Sequence, residues 1–376
     1  MNGVAPPIGV GVVGLGFMGR THIGAYGKIP ASCRLAGVFD LDRARLTGDA
    51  GGGGNIDTDG GRAMRLFDPS EILATDSLEV FLASPEIHAV SVCTPTDTHA
   101  EVALAAIRAG KHVLIEKPVA LDRRVVERLA DEARRAGVVA MPAMCMRFWP
   151  GWTWLREQVA GGATLRSLAF ERAGGRPGWG GGFYQDASRS GGALYDLHIH
   201  DTDIVCHLLG VPDAVTTVGT LARMTTLYHF AEGSGHGSGH GGHAAPQLVT
   251  ATGGWFAGGI DFRMRYLAEF GPVAGDAGLR QGSTLGTADF DLTRDEPLRV
   301  SRVPTGPDAE AQSEDTIDAV QIPDETGYDA EVRAFVESVV GSCPAPVTLA
   351  DASATLAVLE AEARSMETGL REPVRL

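Results

Sequence analysis

Residues 8–19 read IGVGVVGLGFMG, an apolar β-strand pattern that runs directly into a glycine motif. The G-x-G-x-x-G spacing at Gly14, Gly16 and Gly19 is typical of a dinucleotide site: the first glycine permits a tight turn, the second lets the backbone approach a pyrophosphate, and the third lets the following helix pack on the strand. Alone, this motif is a weak signal. Here a second predicted strand ends at Asp40, 21 residues past Gly19, where a carboxylate can accept hydrogen bonds from ribose hydroxyls. The combination predicts dinucleotide binding, with an ordinary tight turn as the alternative.

Asp40 also bears on which dinucleotide is expected. A carboxylate repels a 2′-phosphate and accepts a hydrogen bond from a free 2′-OH, so NAD is favoured over NADP. Arg43 and Arg45 follow closely in the sequence. An arginine near this position is how such sites accept the 2′-phosphate, so NADP stays open.

Composition narrows the class of protein. The chain has 376 residues, 44% of them hydrophobic, which is long enough for two domains, and its net charge of −15 disfavours a nucleic-acid partner. Its five cysteines are scattered and form no C-x-x-C pair, which is typical of a reducing compartment. No secretory leader pattern and no apolar stretch near ~18–20 residues is evident, so a cytoplasmic protein with no membrane partner is expected.

Up to residue 145, short apolar runs alternate with amphipathic stretches, which predicts an α/β fold with a doubly wound parallel sheet of the Rossmann type. The predicted strands are 8–13, 35–39, 88–93, 112–115 and 138–141, and the predicted helices lie near 17–28, 78–83, 98–109 and 122–136. The GGGG at 51–54 is interpreted as a flexible surface loop.

Beyond residue 145 the pattern predicts a second α/β domain with a large, mostly antiparallel open sheet. Its predicted elements are a helix at 193–209, β-rich runs at 214–229, 247–257 and 259–270, and helices near 328–340 and 349–367. The predicted domains are therefore 1–145 and 146–376, and the final helix is expected to pack back on the first. Residues 233–245 are low-complexity and predict a mobile hairpin loop; its His236, His240 and His243 lack an acidic or cysteine partner for a metal.

Lys117 is one of only three lysines in the chain, and it lies in Glu116-Lys117-Pro118 directly after a predicted strand. Open α/β sheets bind their ligands at the carboxyl edge, where this motif would lie. The position favours a chemical role. A surface Glu-Lys pair that closes a strand is an equally good interpretation of the spacing alone.

The second cluster is the stretch SGGALYDLHIHDTDIVCHLLG, residues 190–210. On a helix, Asp196, His200, Asp203 and His207 share one polar stripe, and a carboxylate one turn from an imidazole can orient a general base. A solvated helix face is one alternative. A metal site built on D-x-H-x-H-D-x-D is another, but it departs from the H-x-H-x-D-H of metallohydrolases and leaves the dinucleotide motif unexplained, so no metal is expected.

Three motifs in this order resemble the Gfo/Idh/MocA oxidoreductases, the superfamily of glucose–fructose oxidoreductase and inositol dehydrogenase. They are GLGFMG, CTPTDTHAEVALAAIRAGKHVLIEKPVALD (93–122) and SGGALYDLHIHDTD (190–203), and the C-terminal YDAEVRAFVESVVGS and SMETGLREPVRL extend the resemblance over nearly the whole chain. It implies a Rossmann domain followed by an α/β domain for substrate binding, whose open sheet often forms the oligomer interface. A homodimer or homotetramer is therefore expected.

The resemblance also implies site residues. Lys117, Asp196 and His200 are the implied catalytic residues, and the peptide bond before Pro118 is often cis in this family. The implied cofactor-binding residues are Gly14, Gly16, Phe17, Met18, Gly19, Asp40, Thr94, Pro95, His99, Glu116 and Lys117. Arg147, Trp149 and Trp179 are expected to line the substrate, and for the two tryptophans ordinary packing at a domain junction is the alternative.

One position departs from the family pattern. His198 replaces the glycine often found two residues before the catalytic histidine, and on a helix it points away from Asp196 and His200, so it is expected to line the pocket wall or to pack. The implied activity is NAD-dependent oxidation of a secondary alcohol in a sugar, cyclitol or sugar derivative. Two alternatives stay open: a glycosidase that oxidises its substrate transiently, and a non-catalytic NAD-binding regulator, against which the intact catalytic residues argue.

Overall fold

The computed structural model describes residues 5, 7–49, 65–178, 181–231, 246, 248–257, 260–271, 282–305 and 316–376. The predictions for the GGGG at 51–54, for the loop at 233–245 with its three histidines, and for Trp179 lie outside these residues.

The first part of the chain forms a six-stranded parallel sheet. Its strands are Ile8–Val13 (β1), Cys33–Phe39 (β2), Leu73–Thr75 (β3), Ala89–Val92 (β4), His112–Glu116 (β5) and Ala140–Ala143 (β6). The helices between them are Phe17–Gly27 (α1), Leu78–Ala83 (α2), Thr96–Arg108 (α3) and Arg123–Ala136 (α4). The strand order is β3-β2-β1-β4-β5-β6 and every pairing is parallel, which is the doubly wound order of dinucleotide-binding proteins.

The packing of this sheet follows from its sequence. All six residues of β1 are buried, as expected of a central parallel strand covered on both faces. The strand that sequence reasoning missed, β3, has only three half-buried residues, so no apolar run marks it. The strands and helices predicted for this region are all present, and their bounds differ from the prediction by at most two residues.

The later part of the chain forms a nine-stranded sheet. Its strands are Leu165–Gly175 (β7), Ala214–Thr220 (β8), Arg223–His229 (β9), Leu248–Phe256 (β10), Arg263–Phe270 (β11), Gly282–Asp291 (β12), Leu298–Thr305 (β13), Thr316–Ala319 (β14) and Glu372–Pro373 (β15). The order is β14-β13-β12-β11-β7-β10-β9-β8-β15; β7 pairs with β10 in parallel, and the other pairs are antiparallel. The predicted α/β class with a mostly antiparallel second sheet is confirmed.

The remaining helices are Pro150–Ala160 (α5), Ala187–Ser190 (α6), Ile199–Leu209 (α7), Gly327–Val339 (α8) and Leu349–Thr368 (α9). On α5, Trp152 packs edge-on against Tyr266 of β11 with ring centroids 5.4 Å apart. Among the described residues, no helix combines the length and the apolar character needed to cross a membrane.

The chain divides into two compact units that are each discontinuous in sequence. Unit 1 comprises Met1–Trp149, Pro177–Gly191 and Glu325–Leu356, and it contains the six-stranded sheet. Unit 2 comprises Pro150–Arg176, Gly192–Asp324 and Ala357–Leu376, and it contains the nine-stranded sheet.

Candidate active site

The glycine loop between β1 and α1 has the geometry that a dinucleotide requires. Gly14 has a positive φ of 90°, and its N–H donates to the carbonyl of Phe39, 2.8 Å away. A Cβ added to Gly19 would lie 1.9 Å from the carbonyl oxygen of Gly14, so this position has no room for a side chain. A Cβ on Gly16 would meet nothing within 4 Å, and Gly16 begins α1 without a side-chain cap. The space above the helix N-terminus is therefore open for a pyrophosphate.

Asp40 follows β2 and is tied to this loop. Its Oδ2 accepts a hydrogen bond from the N–H of Leu15 at 2.7 Å, and its Oδ1 accepts one from the N–H of Asp42 at 2.8 Å. Arg45 donates to the same Oδ2 at 3.3 Å. The carboxylate is thus fixed beside the glycine loop, where Oδ1, which accepts one hydrogen bond from the chain, keeps acceptor capacity for a ribose hydroxyl.

His99 links the ends of β4 and β5. Its Nδ1 lies 2.8 Å from the carbonyl oxygen of Pro118, and its Nε2 lies 2.6 Å from the carbonyl oxygen of Thr94. Burial lowers the pKa of His99 below its ordinary value, so the ring is neutral at pH 7 and donates to one carbonyl at a time. His99 therefore acts on the backbone beside Thr94 and Lys117.

Lys117 is half-buried directly after β5, and the Lys117–Pro118 peptide bond is cis, as the resemblance implied. The neighbouring Glu116 is buried with both oxygens engaged by the chain: Oε2 accepts from the Lys117 N–H at 3.1 Å, and Oε1 lies 3.1 Å from Nε2 of His22. Burial works to raise the pKa of Glu116, but the hydrogen bond and charge of His22, with the charge of Lys117, lower it below its ordinary value. Glu116 is an ionised carboxylate behind Lys117.

Sequence reasoning missed the side chains that complete this network. His22 Nδ1 lies 3.0 Å from Oγ of Ser91, which lies 2.8 Å from the hydroxyl of Tyr26. His22 and Ser91 are fully buried. A histidine three residues after Gly19, on the helix that packs on β1, was the available signal, but nothing in the sequence pairs it with a carboxylate 94 residues away.

In unit 2, the predicted continuous helix at 193–209 is wrong in its first turns. Leu194–His198 is π-helical, and α-helix follows only from Ile199. A π turn contains more residues than an α turn, so Asp196 and His200 do not have the α-helical relation that the single polar stripe assumed. The alternative of a solvated face does not hold for His200, which is 9% exposed, or for Asp203, which is 1% exposed, whereas Asp196 and His207 are half-buried.

The expected substrate-lining residues pack inside unit 1. Arg147 is buried with Nη1 3.7 Å from Oδ1 of Asp351, and Trp149 is buried edge-on against Tyr328 with ring centroids 5.6 Å apart. These contacts are the packing alternative that the sequence left open. Within the described part of the chain, no group of three or more His, Cys, Asp or Glu side chains is placed to hold a metal ion.

The doubly wound sheet, the glycine loop and the fixed Asp40 are features typical of the Rossmann class of α/β proteins. Residues 8–144 match the oxidoreductase family with an NAD-binding Rossmann fold, GFO_IDH_MocA. The resemblance to the Gfo/Idh/MocA oxidoreductases that the motifs indicated is therefore confirmed over residues 8–144.

Individual relatives are enzymes of sugar chemistry. UDP-N-acetylglucosamine 3-dehydrogenase of Acidithiobacillus ferrooxidans is 33% identical over 213 residues, which are 56% of this chain and 58% of that protein. Levoglucosan dehydrogenase of Pseudarthrobacter phenanthrenivorans is 29% identical over 219 residues, 56% of this chain and 53% of that protein. The matches therefore span little more than half the length of these relatives.

Among solved structures, a levoglucosan dehydrogenase in complex with NADH and levoglucosan has a TM-score of 0.74 to this chain at 19% identity. The match covers 98% of this chain and 100% of that chain. At this identity the likeness shows the fold.

Proposed function

We propose that this protein transfers a hydride between a secondary alcohol of a sugar, cyclitol or sugar derivative and NAD. The observation that carries the proposal is the carboxyl edge of the six-stranded sheet. There the glycine loop follows β1, Asp40 follows β2, Thr94 follows β4 and Lys117 follows β5. Ligands of doubly wound sheets bind at this edge, and the named relatives act on sugar compounds.

The chain supplies the groups that the cofactor lacks. NAD, when bound, accepts or returns the hydride. The ammonium of Lys117 donates a hydrogen bond to the reacting oxygen, for which its backbone is held by Glu116 and His99. His200 accepts the hydroxyl proton and Asp196 stabilises the imidazolium that forms. The assignment of these three residues to one substrate rests on the family motifs.

We propose NAD rather than NADP as the preferred cofactor. The carboxylate of Asp40 is fixed at the end of β2, where it repels a 2′-phosphate. Arg45 lies 3.3 Å from that carboxylate, and its charge is engaged by Asp40. With Asp40 and Arg45 paired in this way, NAD is the better match for the site. A substitution of Asp40 would release Arg45 to bind the 2′-phosphate of NADP.

A substrate panel tests the activity and the cofactor together. The full-length protein is incubated with cyclitols, aldoses, sugar acids, levoglucosan and UDP-N-acetylglucosamine, with NAD or NADP, and reduced cofactor is read by absorbance. We expect NADH to form with at least one compound, and NADPH to form at least about tenfold more slowly. The reason is that repulsion between the Asp40 carboxylate and the 2′-phosphate of NADP should lower the rate by about a factor of ten or more. Equal rates with both cofactors contradict the role of Asp40.

Product analysis in the same reactions separates the alternatives. Cleavage of a glycoside without net NADH identifies transient oxidation. Tight NAD binding without any conversion of the panel identifies a regulator and contradicts the proposal.

We also propose a homodimer or homotetramer formed through the nine-stranded sheet. Val218, Leu248 and Leu267 lie on the same face of that sheet and are 63%, 51% and 53% exposed, whereas the other face is buried. Exposed apolar side chains grouped on one face mark an interaction surface. Light scattering after gel filtration should give two or four chains for the wild type, and Leu267→Glu should reduce the mass. A monomeric wild type contradicts this proposal.

A further inference from the structure

A cluster of polar side chains inside unit 2 surrounds the one position where the chain departs from its family pattern. Nε2 of His198 lies 3.2 Å from Oε2 of Glu362 on α9 and 3.2 Å from Oγ1 of Thr226 on β9. The side chains of His198 and Glu362 are both 0% exposed. We call these residues, with Thr202 and Tyr228, the His198 cluster.

Glu362 holds two successive turns of the helical segment. Thr202 donates to its Oε1 at 3.1 Å, while His198 contacts Oε2. The hydroxyl of Tyr228 on β9 lies 3.0 Å from Oγ1 of Thr202, within hydrogen-bond distance. One carboxylate thus binds the residues two before and two after His200.

A second buried contact fixes the adjacent position. Asp201 accepts hydrogen bonds from Nε of Arg172 at 3.1 Å and from Nη2 of Arg172 at 2.7 Å, and both side chains are 2% exposed. With residues 198, 201 and 202 all anchored, the segment around His200 cannot rotate about its axis without breaking buried polar contacts.

The anchored residues lie at the end of the π turn that carries Asp196 and on the first turn of α7 that follows it. Single π turns inside α-helices are rare and occur frequently at functional sites. The glycine common at this position in the family has no side chain to anchor the turn, whereas His198 reaches two other elements. Burial works to lower the pKa of His198, but the negative charge of Glu362, whose Oε2 lies 3.2 Å from Nε2, raises it above the ordinary value.

We propose that His198 and Glu362 are positioning residues whose buried contact fixes the rotation of the π turn and so the directions of Asp196 and His200. The inference rests on the proposed role of His200 and deepens it. The charged and titratable groups around His198 are Glu362 from α9, Tyr228 from β9, Asp201 from α7 and Arg172 from β7. The competing interpretation, that the cluster only fills the core, predicts a loss of stability without a change at His200.

Kinetics of matched variants distinguish positioning of the π turn from simple filling of the core. Glu362→Gln keeps the shape and an acceptor for Thr202, and His198→Gly restores the family residue. Tyr266→Phe is the control, because it removes one buried hydrogen bond in unit 2, to the carbonyl of Gly151 at 2.8 Å. We expect both cluster variants to lower kcat about 10- to 100-fold, as displaced catalytic groups do, with the NAD dissociation constant unchanged.

The pH dependence of kcat/KM provides the second readout. Its midpoint should move in Glu362→Gln, because Asp196 and His200 no longer hold their relation, and it should stay in place in Tyr266→Phe. Cluster variants that lose thermal stability as the control does, but keep kcat within about twofold and the same midpoint, overturn the proposal.

A measurement without turnover keeps this test separate from the proposed function. In protein labelled with ¹⁵N-histidine, the ring signals of His200 are assigned with His200→Gln and titrated by NMR. The His200 titration should shift in Glu362→Gln and not in Tyr266→Phe. If the wild type converts no compound of the panel, the proposed function fails while this shift still supports positioning; an unchanged His200 titration in Glu362→Gln overturns positioning whatever the activity.

Discussion

Lys117 illustrates how one side chain is given a fixed place by its neighbours' backbone contacts. Its own N–H donates to Glu116 Oε2 at 3.1 Å, and the carbonyl of the next residue, Pro118, lies 2.8 Å from the ring of His99. Two buried side chains on different elements therefore hold the backbone on either side of the lysine Cα. A flexible four-carbon side chain starting from a fixed point needs less ordering when it meets a substrate oxygen.

Replacing this lysine tests the chemistry directly. Lys117→Ala should lower kcat by about 10²–10⁴, typical of a lost acid–base or polarising group, and leave the NAD dissociation constant nearly unchanged. Steady-state kinetics and NAD titration by fluorescence measure the two quantities. Lys28→Ala is the control, because Lys28 is 62% exposed and pairs with Asp329. Retained turnover together with weakened NAD binding would instead make Lys117 a cofactor anchor.

The same residues show what a sequence can and cannot predict. The place of Lys117 directly after a strand and that of the glycines between a strand and a helix were predictable, because they follow from neighbours within a few positions of the chain. The partners of Glu116 and His198 were not, because His22 is 94 residues from Glu116 and Glu362 lies on the last long helix. A buried polar contact between distant segments leaves no periodic pattern in either segment.

At the scale of elements, the glycine loop and α1 contain one glycine that the packing of the fold requires and another that we assign to cofactor binding. Gly19 is required by packing, since the helix approaches the loop too closely for a Cβ. Among the described residues, no packing contact requires Gly16, because a Cβ there would meet no described atom within 4 Å and its backbone is extended, with φ −68° and ψ −163°. Of the two glycines in this motif, Gly19 is therefore needed for the packing of α1, and Gly16 is expected to be needed only for the approach of the cofactor.

Alanine substitutions should reveal this difference. Gly19→Ala should destabilise the protein by roughly 1–3 kcal/mol, the usual cost of forcing atoms into a packed site. Gly16→Ala should change stability by less than about 0.5 kcal/mol yet weaken NAD binding, because its methyl group occupies the pyrophosphate position. Thermal unfolding without cofactor and calorimetric NAD titration measure the two effects.

The exposed Gly24 of α1 supplies the control for this pair. A Cβ there meets nothing within 4 Å, so Gly24→Ala should leave NAD binding intact and raise stability slightly. Equal losses of NAD affinity in the Gly16 and Gly24 variants would contradict the assignment of Gly16 to the cofactor.

The helix of unit 2 shows the limit of pattern reasoning for elements. The existence of a helix near 193–209 followed from its polar and apolar spacing, but the π turn at Leu194–His198 did not. Five residues are too few for a change of period to show in the sequence. The turn is fixed by contacts with β9 and α9, which no local pattern contains.

At the scale of the whole molecule, buried ionisable groups should make the free energy of unfolding decrease both as the pH falls and as the pH rises. Glu116 has a lowered pKa, so its stabilisation is present above its unfolded value of about 4.3 and is lost as the pH falls through its folded value. His99, with a lowered pKa, also favours the unfolded chain in acid. His198 has a raised pKa, so its stabilisation is complete below about 6.5 and is lost as the pH rises through its folded value.

Scanning calorimetry across pH should therefore show stability greatest near pH 6.5, because the contribution of His198 declines above this pH and that of His99 declines below it. His198→Asn should reduce the decline on the alkaline side in the transition of unit 2, and Glu116→Gln should reduce the decline on the acid side in that of unit 1. An unaltered alkaline decline in His198→Asn would show that His198 is neutral throughout. Because a two-unit protein need not unfold in one step, each transition is compared with its own counterpart.

The discontinuity of the two units has a consequence for synthesis of the chain. Strand β7 is central in its sheet, yet its partners β10 and β11 begin about 80 to 100 residues later. Unit 1 likewise incorporates Glu325–Leu356, where Asp329 pairs with Lys28, the residue after α1, at 2.8 Å. A nascent chain emerging from the ribosome thus holds both cores incomplete until its last fifty or so residues are made. Contacts of such long range slow folding, so this protein should depend on chaperones during translation and tolerate C-terminal truncation poorly.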